Sequence, residues 1–419
     1  MPADISRDDA QYALELVEKI CAQVGPGRPG SRQERERAAM VQEELAAHLG
    51  PENVTLEEFT FAPDAFLASL PLSAGCMLLA ALLNVAAGRL AGGAPWVAAT
   101  ALAFSILSLG VVVVEFILGR EFIDSLFPHQ RSVNVIGRLR RPGTQVVKRL
   151  LIVSGHHDSA LENTWFRFLG YGAIFLSATW WVGLLVLPAV CLVQLAGLVA
   201  GEAGLVRAGT LGWILLAYPV APASLYAAFF NRGRTGGGNV PGAADNLSAC
   251  ALAVTMSRYL AHNPACIPAD TEIRFITFGA EEAGLRGSRR YVARHLDELK
   301  SLDARLLNFE TVAHPEITIL SSDMNGRVKN SPQMVNELAA AARSAGVPYR
   351  VKPASPGVAN DSAFFSQAGL QAVTLLPFQM PQQLVAFYHQ KWDTPAVLTL
   401  EPLWNVLKLT LAWIEGRGA

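Results

Sequence analysis

Two long blocks of nearly uncharged apolar sequence, Phe66 to Leu118 and Phe168 to Phe230, interrupt a chain whose two ends have ordinary soluble composition. Of the 419 residues, 51% are hydrophobic and only 16% are charged, against roughly 25% charged in typical soluble proteins. The apolar excess lies in these blocks. The first holds Phe66 to Ala87 and Pro95 to Leu118, separated by Arg89 and the Gly-rich Ala91-Gly-Gly-Ala94, with Glu115 as the one charge inside the pieces. The second holds an uncharged run from Phe168 to Ala200, then Gly201-Glu202 and Arg207, then Ala208 to Phe230. Each piece matches or exceeds the ~20 residues that cross a bilayer. Buried core helices or an apolar dimer face would be the soluble reading. Four such stretches favour four membrane spans instead. The Phe168 to Ala200 run contains Pro188 and reads as one tilted or over-long helix rather than two.

The polar parts carry chemistry-bearing residues in short motifs. Ile273 to Phe278 is rich in β-branched and aromatic residues and reads as a buried strand. It runs into Gly-Ala-Glu281-Glu282-Ala-Gly. Adjacent residues at a strand end point in different directions. One carboxylate can therefore bind a metal while the other takes a proton from a metal-bound water. The competing reading is an acidic turn opening a helix. A second strand, Leu150 to Ser154, runs into Gly155-His156-His157-Asp158-Ser159. His156 and Asp158 share a side there, which suits an imidazole ligand fixed by a neighbouring carboxylate. His157 points away and is the poorer ligand. Gly242-Ala-Ala-Asp245-Asn-Leu-Ser248 precedes a helix-like run, where Asp245 could equally be an N-cap. Arg305 to Glu310 reads as a strand ending in a carboxylate, and His389 lies in Tyr388-His-Gln-Lys-Trp-Asp393-Thr394. Most of these motifs end strands or follow them, where open α/β sheets place their ligand crevice. Two imidazoles with three carboxylates suit zinc, with cobalt or manganese as substitutes.

In this set and order the motifs resemble the zinc aminopeptidases of clan MH, relatives of bacterial leucyl aminopeptidase and glutamate carboxypeptidase. The resemblance extends to Gly27-Arg-Pro-Gly-Ser31, to Ser132-Val-Asn-Val-Ile-Gly137 and to the Asn360-Asp361 loop before Phe364 and Gly369, and lapses only over the two apolar blocks. It implies that His156 is the first histidine ligand and Asp245 a carboxylate bridging two metals, followed by Asn246. It makes Glu281 the general base, Glu282 a terminal ligand, and His389 the last ligand beside Glu282. Asp158, grouped with Glu281 as catalytic, and Asp393 match positions that support the ligands. Two departures stand out. Glu310 occupies a place where the family usually has Asp. The added methylene requires the strand to sit back or the side chain to fold, and bears on the ion shared by His156 and Glu310. Asn360-Asp361-Ser362 stands where the family often has Ser-Asp-His. The implied activity is hydrolysis of peptide bonds by two Zn2+ ions, as an aminopeptidase acting on a peptide substrate. The alternatives are a carboxypeptidase or other amide hydrolase on the same site, or a catalytically silent membrane-bound binding module.

The resemblance makes the flanking segments one domain. Each insertion must then leave and return on the same side, so each needs an even number of spans. The expected organisation is a discontinuous zinc peptidase domain of residues 1–65, 119–167 and 231–419, with transmembrane hairpins at 66–118 and 168–230. Arg120, Arg131, Arg167, Arg232 and Arg234 flank the domain side of the spans, against Arg89 and Arg207 opposite. That bias favours a cytoplasmic domain on a bacterial inner membrane. Met1 to Glu58 shows no charged-then-apolar opening, so no signal peptide is expected. Five cysteines without metal or disulfide spacing fit a reducing compartment. A formal net charge of −1 and the lack of a basic stripe exclude nucleic acid as a partner and leave the lipid bilayer. Oligomeric state is not legible.

The expected fold is α/β: a mixed, mainly parallel sheet flanked by helices, of the phosphorylase/hydrolase-like kind, carrying the two inserted hairpins. Strands are expected near Val133, Leu150, Ile273, Leu306, Ile317, Tyr349 and Val373. Helices are expected near Gln11, Ala38, Ala251, Arg289, Val335 and Trp404. Arg138 to Gly143 reads as a hairpin turn joining strands Val133 to Leu139 and Val146 to Val153.

Overall fold

The computed structural model describes residues 5–90, 94–210 and 238–416. The chain divides into two compact units, one of residues 1–63, 129–162 and 238–419, the other of residues 64–128 and 163–237.

The described residues of the first unit form ten strands: β1 (Val54–Phe61), β2 (Gln130–Arg140), β3 (Arg149–His156), β4 (Thr271–Phe278), β5 (Arg305–Phe309), β6 (Ile317–Leu320), β7 (Ser322–Asp323), β8 (Val328–Lys329), β9 (Tyr349–Lys352) and β10 (Gln371–Leu376). Eight form one sheet in the order β1-β2-β4-β3-β5-β10-β6-β9, and β7 and β8 pair separately. The centre, β4, β3, β5 and β10, is parallel. β1 and β2 run antiparallel at one side, and β6 opposes β10 at the other. The expected class is thus observed, with strands and helices at every expected position.

Side chains of the central strands alternate between two apolar layers, as the two-residue period requires. Leu151, Val153, Ile273, Phe275, Leu307 and Phe309 pack under the helices Arg7–Gln23, Arg32–Leu49, Ser248–His262, Pro332–Ser344 and Leu400–Glu415. Leu150, Ile152, Ile276, Phe278 and Leu306 pack under Arg286–Ser301 and Ser362–Gln367. Covered on both faces, these strands read as continuous apolar runs.

Two expectations need correction. β2 and β3 are not a hairpin: β4 lies between them, antiparallel to β2 and parallel to β3. The Arg-Pro-Gly turn therefore joins strands that never pair, because a strand from far downstream takes the place beside each. β1 was not expected as a strand. It lies at the sheet edge, and its Glu57-Glu58 pair breaks the apolar alternation. Glu57 is accounted for by Arg294 Nη1 at 2.9 Å and His295 Nε2 at 2.7 Å.

The second unit contains the helices Ala65–Arg89, Pro95–Val111 and Tyr171–Ala200, the second extended to Ile117 by a wider π-type turn. Among the described residues three helices, Ala65–Arg89, Pro95–Ile117 and Tyr171–Ala200, are long and apolar enough to cross a membrane. Pro71 and Pro188 lie inside unbroken helices. The expected span over 208–230 falls almost wholly outside the described residues. Ala74, Met77, Ala80, Ala101, Trp180, Leu184 and Cys191 form the bundle's interior. Polar groups knit the helices together. Asn84 Nδ2 donates to Gln194 Oε1 at 2.9 Å, and Gln194 Nε2 donates back to Asn84 O at 2.7 Å. Ser73 and Ser108 each donate to the other's carbonyl at 3.0 and 2.8 Å. Leu82, Trp96, Ile106, Phe175, Leu185 and Val199 are exposed. A bundle apolar outside as well as inside, with small and polar residues between helices, has the surface chemistry of a lipid-facing unit.

One close approach sets the position of β3. A Cβ on Gly155 would lie 2.4 Å from Ala249 Cβ, so the helix Ser248–His262 reaches the strand end only over glycine. Gly155→Val should destabilise the protein by about 1–3 kcal/mol through overpacking, read as a lowered denaturant midpoint. An unchanged midpoint would mean that the helix moves freely against the strand.

Candidate metal centre

The register of the three central parallel strands brings the motifs together. His156, the last residue of β3, pairs with Phe278 of β4, and Ser154 pairs with Asn308 of β5. The segments leaving these strands, with Glu281-Glu282 after β4 and Glu310 after β5, therefore start side by side. Asp245 comes from the turn Ala243–Leu247 ahead of its helix, and His389 from the loop after Gln382–Ala386.

Asp245 is the hub. Its Oδ1 lies 3.3 Å from His156 Nε2, and its Oδ2 lies 3.0 Å from His389 Nε2. His156 Nε2 is also 3.6 Å from Glu281 Oε2 and 3.8 Å from Glu310 Oε2. His389 Nε2 is 3.3 Å from Glu282 Oε1. Three sets offer ligand atoms within 4.8 Å of one another: His156, Asp245 and Glu310; Asp245, Glu282 and His389; and His156, Glu281 and Glu282. Six of the seven residues expected at the site thus lie within one cluster, and the seventh, Asp158, lies against His156. Asp245 Oδ2 and Glu282 Oε1 are buried and accept no hydrogen bond. Two buried carboxylate oxygens that share one facing imidazole nitrogen, His389 Nε2, fit a cation between them.

Supporting groups fix the ligands. Asp158 accepts from the backbone N–H of Glu281 at 3.1 Å and of Glu282 at 2.9 Å, and its Oδ1 lies 3.4 Å from His156 Nδ1. Asp393 accepts from the N–H of Ala244 at 2.7 Å and of Asp245 at 3.1 Å. Asn246 donates to Phe309 O and to Glu310 Oε2, at 3.0 and 3.2 Å. The longer Glu310 is held on both oxygens, since Thr311 Oγ1 donates to its Oε1 at 2.9 Å. Ala280, Thr311 and His389 all have left-handed backbone, with φ of 54°, 44° and 51°. Such conformations, costly for residues with a Cβ, gather at functional sites. His157 points into the core, 3.2 Å from Thr277 Oγ1.

Protonation follows from burial and from the crowding of charge. Burial lifts Glu281 well above the usual carboxylate range, with Glu282, Glu310 and Asp361 adding to the rise and His156 opposing it. Burial also raises Glu282, and raises Glu310 to about 7. Asp245 departs from this trend: burial pushes it up, but the two imidazoles outweigh that and hold it below its ordinary value. Burial disfavours the charged imidazoles too, yet the facing carboxylates win. They hold His156 well above its ordinary value and His389 at about 10. His157, with burial dominant, falls to about 4 and is neutral.

Several supporting residues had no assigned role in the motifs. The Tyr388 ring stacks on His389 with centroids 4.0 Å apart. Burial and the charges of Asp245, Glu282, Glu310 and Glu281 keep its phenol protonated. Asp323, fully buried, accepts from Asn360 N–H at 2.9 Å and from Ser362 Oγ at 2.6 Å, which fastens the loop of Asp361. Arg37, also fully buried, donates to Gly25 O at 2.8 Å, to Pro241 O at 2.6 Å and to His157 O at 3.3 Å. Glu34 is equally buried. The signal was available: Glu34 and Arg37 share the helix stripe of Ala38, Val41 and Leu45, where charge is out of place.

Comparison with known proteins agrees with this geometry. Residues 230–414 match the model of peptidase family M28. That stretch contains Asp245, Glu281, Glu282, Glu310 and His389, while His156 lies upstream. Aminopeptidase YwaD of Bacillus subtilis (strain 168) is 49% identical over 69 residues, a stretch covering 16% of this chain and only 14% of that relative's length. BSAP, a zinc aminopeptidase from Bacillus subtilis, superposes with a TM-score of 0.55 at 15% identity, over 97% of this chain and 95% of that one. An aminopeptidase from Aneurinibacillus sp. strain AM-1 gives 0.52 at 17% identity, over 97% and 93%. A glutaminyl cyclase from an Acidobacteriales bacterium gives 0.55 at 13% identity, over 100% and 98%. The fold is that of the zinc aminopeptidases, and the segment carrying most of the centre has the M28 peptidase pattern. The resemblance read from the motifs is borne out.

The protonated imidazoles have a measurable consequence. A metal must displace their protons, so loading zinc into metal-free protein at pH 7 should release protons. Apparent affinity should rise with pH, since His156 and His389 hold their protons through neutrality. Calorimetry in buffers of differing ionisation enthalpy measures the release, and a buffer-independent heat would contradict it.

Proposed function

We propose that the chain is a membrane-anchored metallopeptidase with two zinc ions that removes N-terminal residues from peptides. The observation that carries this reading is Asp245, whose two oxygens face the two different histidines. One carboxylate can then serve two cation positions. His156, Asp245 and Glu310 would hold one ion, and Asp245, Glu282 and His389 the other. The donor set suits zinc, with cobalt or manganese able to substitute. When bound, such ions acidify a water and polarise the scissile carbonyl.

The protein's own groups supply the rest. Glu281 is the general base. Its burial among carboxylates raises its proton affinity, so its ionised form can take a proton from water and return it to the departing amine. Asp158 keeps the Glu281-Glu282 backbone in place, and Asp393 does so for Asp245. Tyr388, kept protonated, is a hydrogen-bond donor beside His389.

In this reading the peptidase domain comprises residues 1–65, 119–167 and 231–419. The segments 66–118 and 168–230 are bilayer hairpins, and the arginine distribution favours a domain on the cytoplasmic face. The three apolar helices support the membrane part. A second reading, cyclisation of N-terminal glutamine, is favoured by the glutaminyl cyclase among the structural neighbours.

Protein purified in detergent should contain close to two equivalents of zinc and cleave aminoacyl-arylamides. A panel of free-amine, N-blocked and N-terminal glutaminyl peptides separates aminopeptidase, carboxypeptidase and cyclase. Binding without turnover of any of them would identify a silent module. Glu281→Gln should keep its zinc and lose about 10²–10⁴-fold in kcat. A fully active variant would remove Glu281 from the role of base.

A further inference from the structure

Four consecutive backbone N–H groups, those of Gly279, Ala280, Glu281 and Glu282, lead from the end of β4 into the acidic pair. None of the four donates to the sheet. Gly279 donates to Asn134 Oδ1 at 3.2 Å, Ala280 to Glu34 Oε1 at 2.9 Å, and Glu281 and Glu282 to the two oxygens of Asp158. The loop is thus held by buried side chains from β2, from the helix Arg32–Leu49 and from the segment after β3. Asp158 was expected in such a role. Glu34 was not.

Glu34 stands at the third position of its helix, where its N–H donates to the Ser31 hydroxyl at 3.1 Å. A Ser-x-x-Glu pattern normally sends the glutamate back to the cap residue's own N–H. Here the carboxylate goes elsewhere. Its Oε2 accepts from Gly30 N–H at 2.6 Å, and its Oε1 accepts from Ser132 Oγ at 2.7 Å as well as from Ala280 N–H. The approach needs Gly279, since a Cβ there would lie 2.3 Å from Ser132 Oγ and 3.1 Å from Glu34 Oε1. The residue so gripped, Ala280, has φ of 54°, a conformation an alanine rarely keeps unaided. It immediately precedes Glu281.

We propose that Glu34 is a positioning residue for catalysis: its carboxylate holds Ala280 in the left-handed conformation that aims Glu281 at the metal centre. Glu34 touches no ligand and no substrate, and acts only through the loop. The proposal rests on the metallopeptidase reading.

The test uses the full chain in detergent with zinc, comparing parent, Glu34→Gln, Glu34→Ala and Glu34→Ala/Ala280→Gly. Zinc content, kcat, KM and amide exchange over residues 279–284 are measured on each. Glu34→Gln retains one acceptor for three converging donors and should lose about tenfold in kcat, with KM within about threefold and zinc unchanged. Glu34→Ala should lose more, with faster exchange confined to 279–284. The added glycine should recover part of kcat, because glycine takes positive φ without being held. A role confined to packing would not be rescued in this way. If Glu34→Ala does not fold, Glu34→Gln alone decides, and parental kcat in that variant overturns the proposal. So does loss of zinc in place of kcat. A parent that holds no zinc and cleaves nothing sinks the metallopeptidase reading instead, while the exchange measurement still reports on the grip itself.

Discussion

Carboxylates stripped of water and set a few ångströms apart repel strongly, and this repulsion is the constraint on which the centre rests. At 4 Å two like charges cost about 4 kcal/mol even at an effective dielectric of 20. Asp245, Glu281, Glu282 and Glu310 crowd one crevice, with Asp158, Asp361 and Asp393 buried around it. Burial lifts Asp361 and Asp393 to about 8 each. Such a cluster persists only if something opposes it. The two imidazoles do so by retaining their protons, backbone N–H groups do so by donating, and divalent cations are the natural further counterweight.

The opposing groups come from distant parts of the chain. Asp393 holds the turn of Asp245 from near the C-terminus, while Glu34 and Arg37 reach from the second helix to the loops of Glu281 and His157. Parallel strands make this possible. Their ends face one way, so several loops open onto the same crevice, and each can be pinned by side chains from its neighbours. Rigidity at the site is therefore a property of the whole first unit rather than of any one motif.

The same physics decides what could be read in advance. β3, β4 and β5 were legible because strands covered on both faces must be apolar along their length, and the residues that end them stood out as polar exceptions. The spacing of His156, Asp245, Glu281-Glu282, Glu310 and His389 was legible as a ligand set. Their convergence was legible only through the family resemblance, because it depends on strand order, which local pattern does not encode. For that reason the Arg-Pro-Gly turn read as a hairpin, although β4 occupies the place between its strands. β1 was hidden by the charges an edge strand can carry. Glu34 and Arg37 were given no role, since several of the partners that justify burying them, Ala280, His157 and Pro241, lie far away in the chain.

The interposition of β4 also has a consequence for how the molecule is made. β1 and β2 can pair as soon as both exist, but β3 has no neighbour until residues 271–278 and 305–309 have been synthesised. Both apolar insertions precede those residues in the chain. On the ribosome, both apolar segments are therefore complete while β3 is still an open, unpaired edge, vulnerable to wrong partners. An early docking place for those segments would tether the nascent chain and keep that edge apart from other copies.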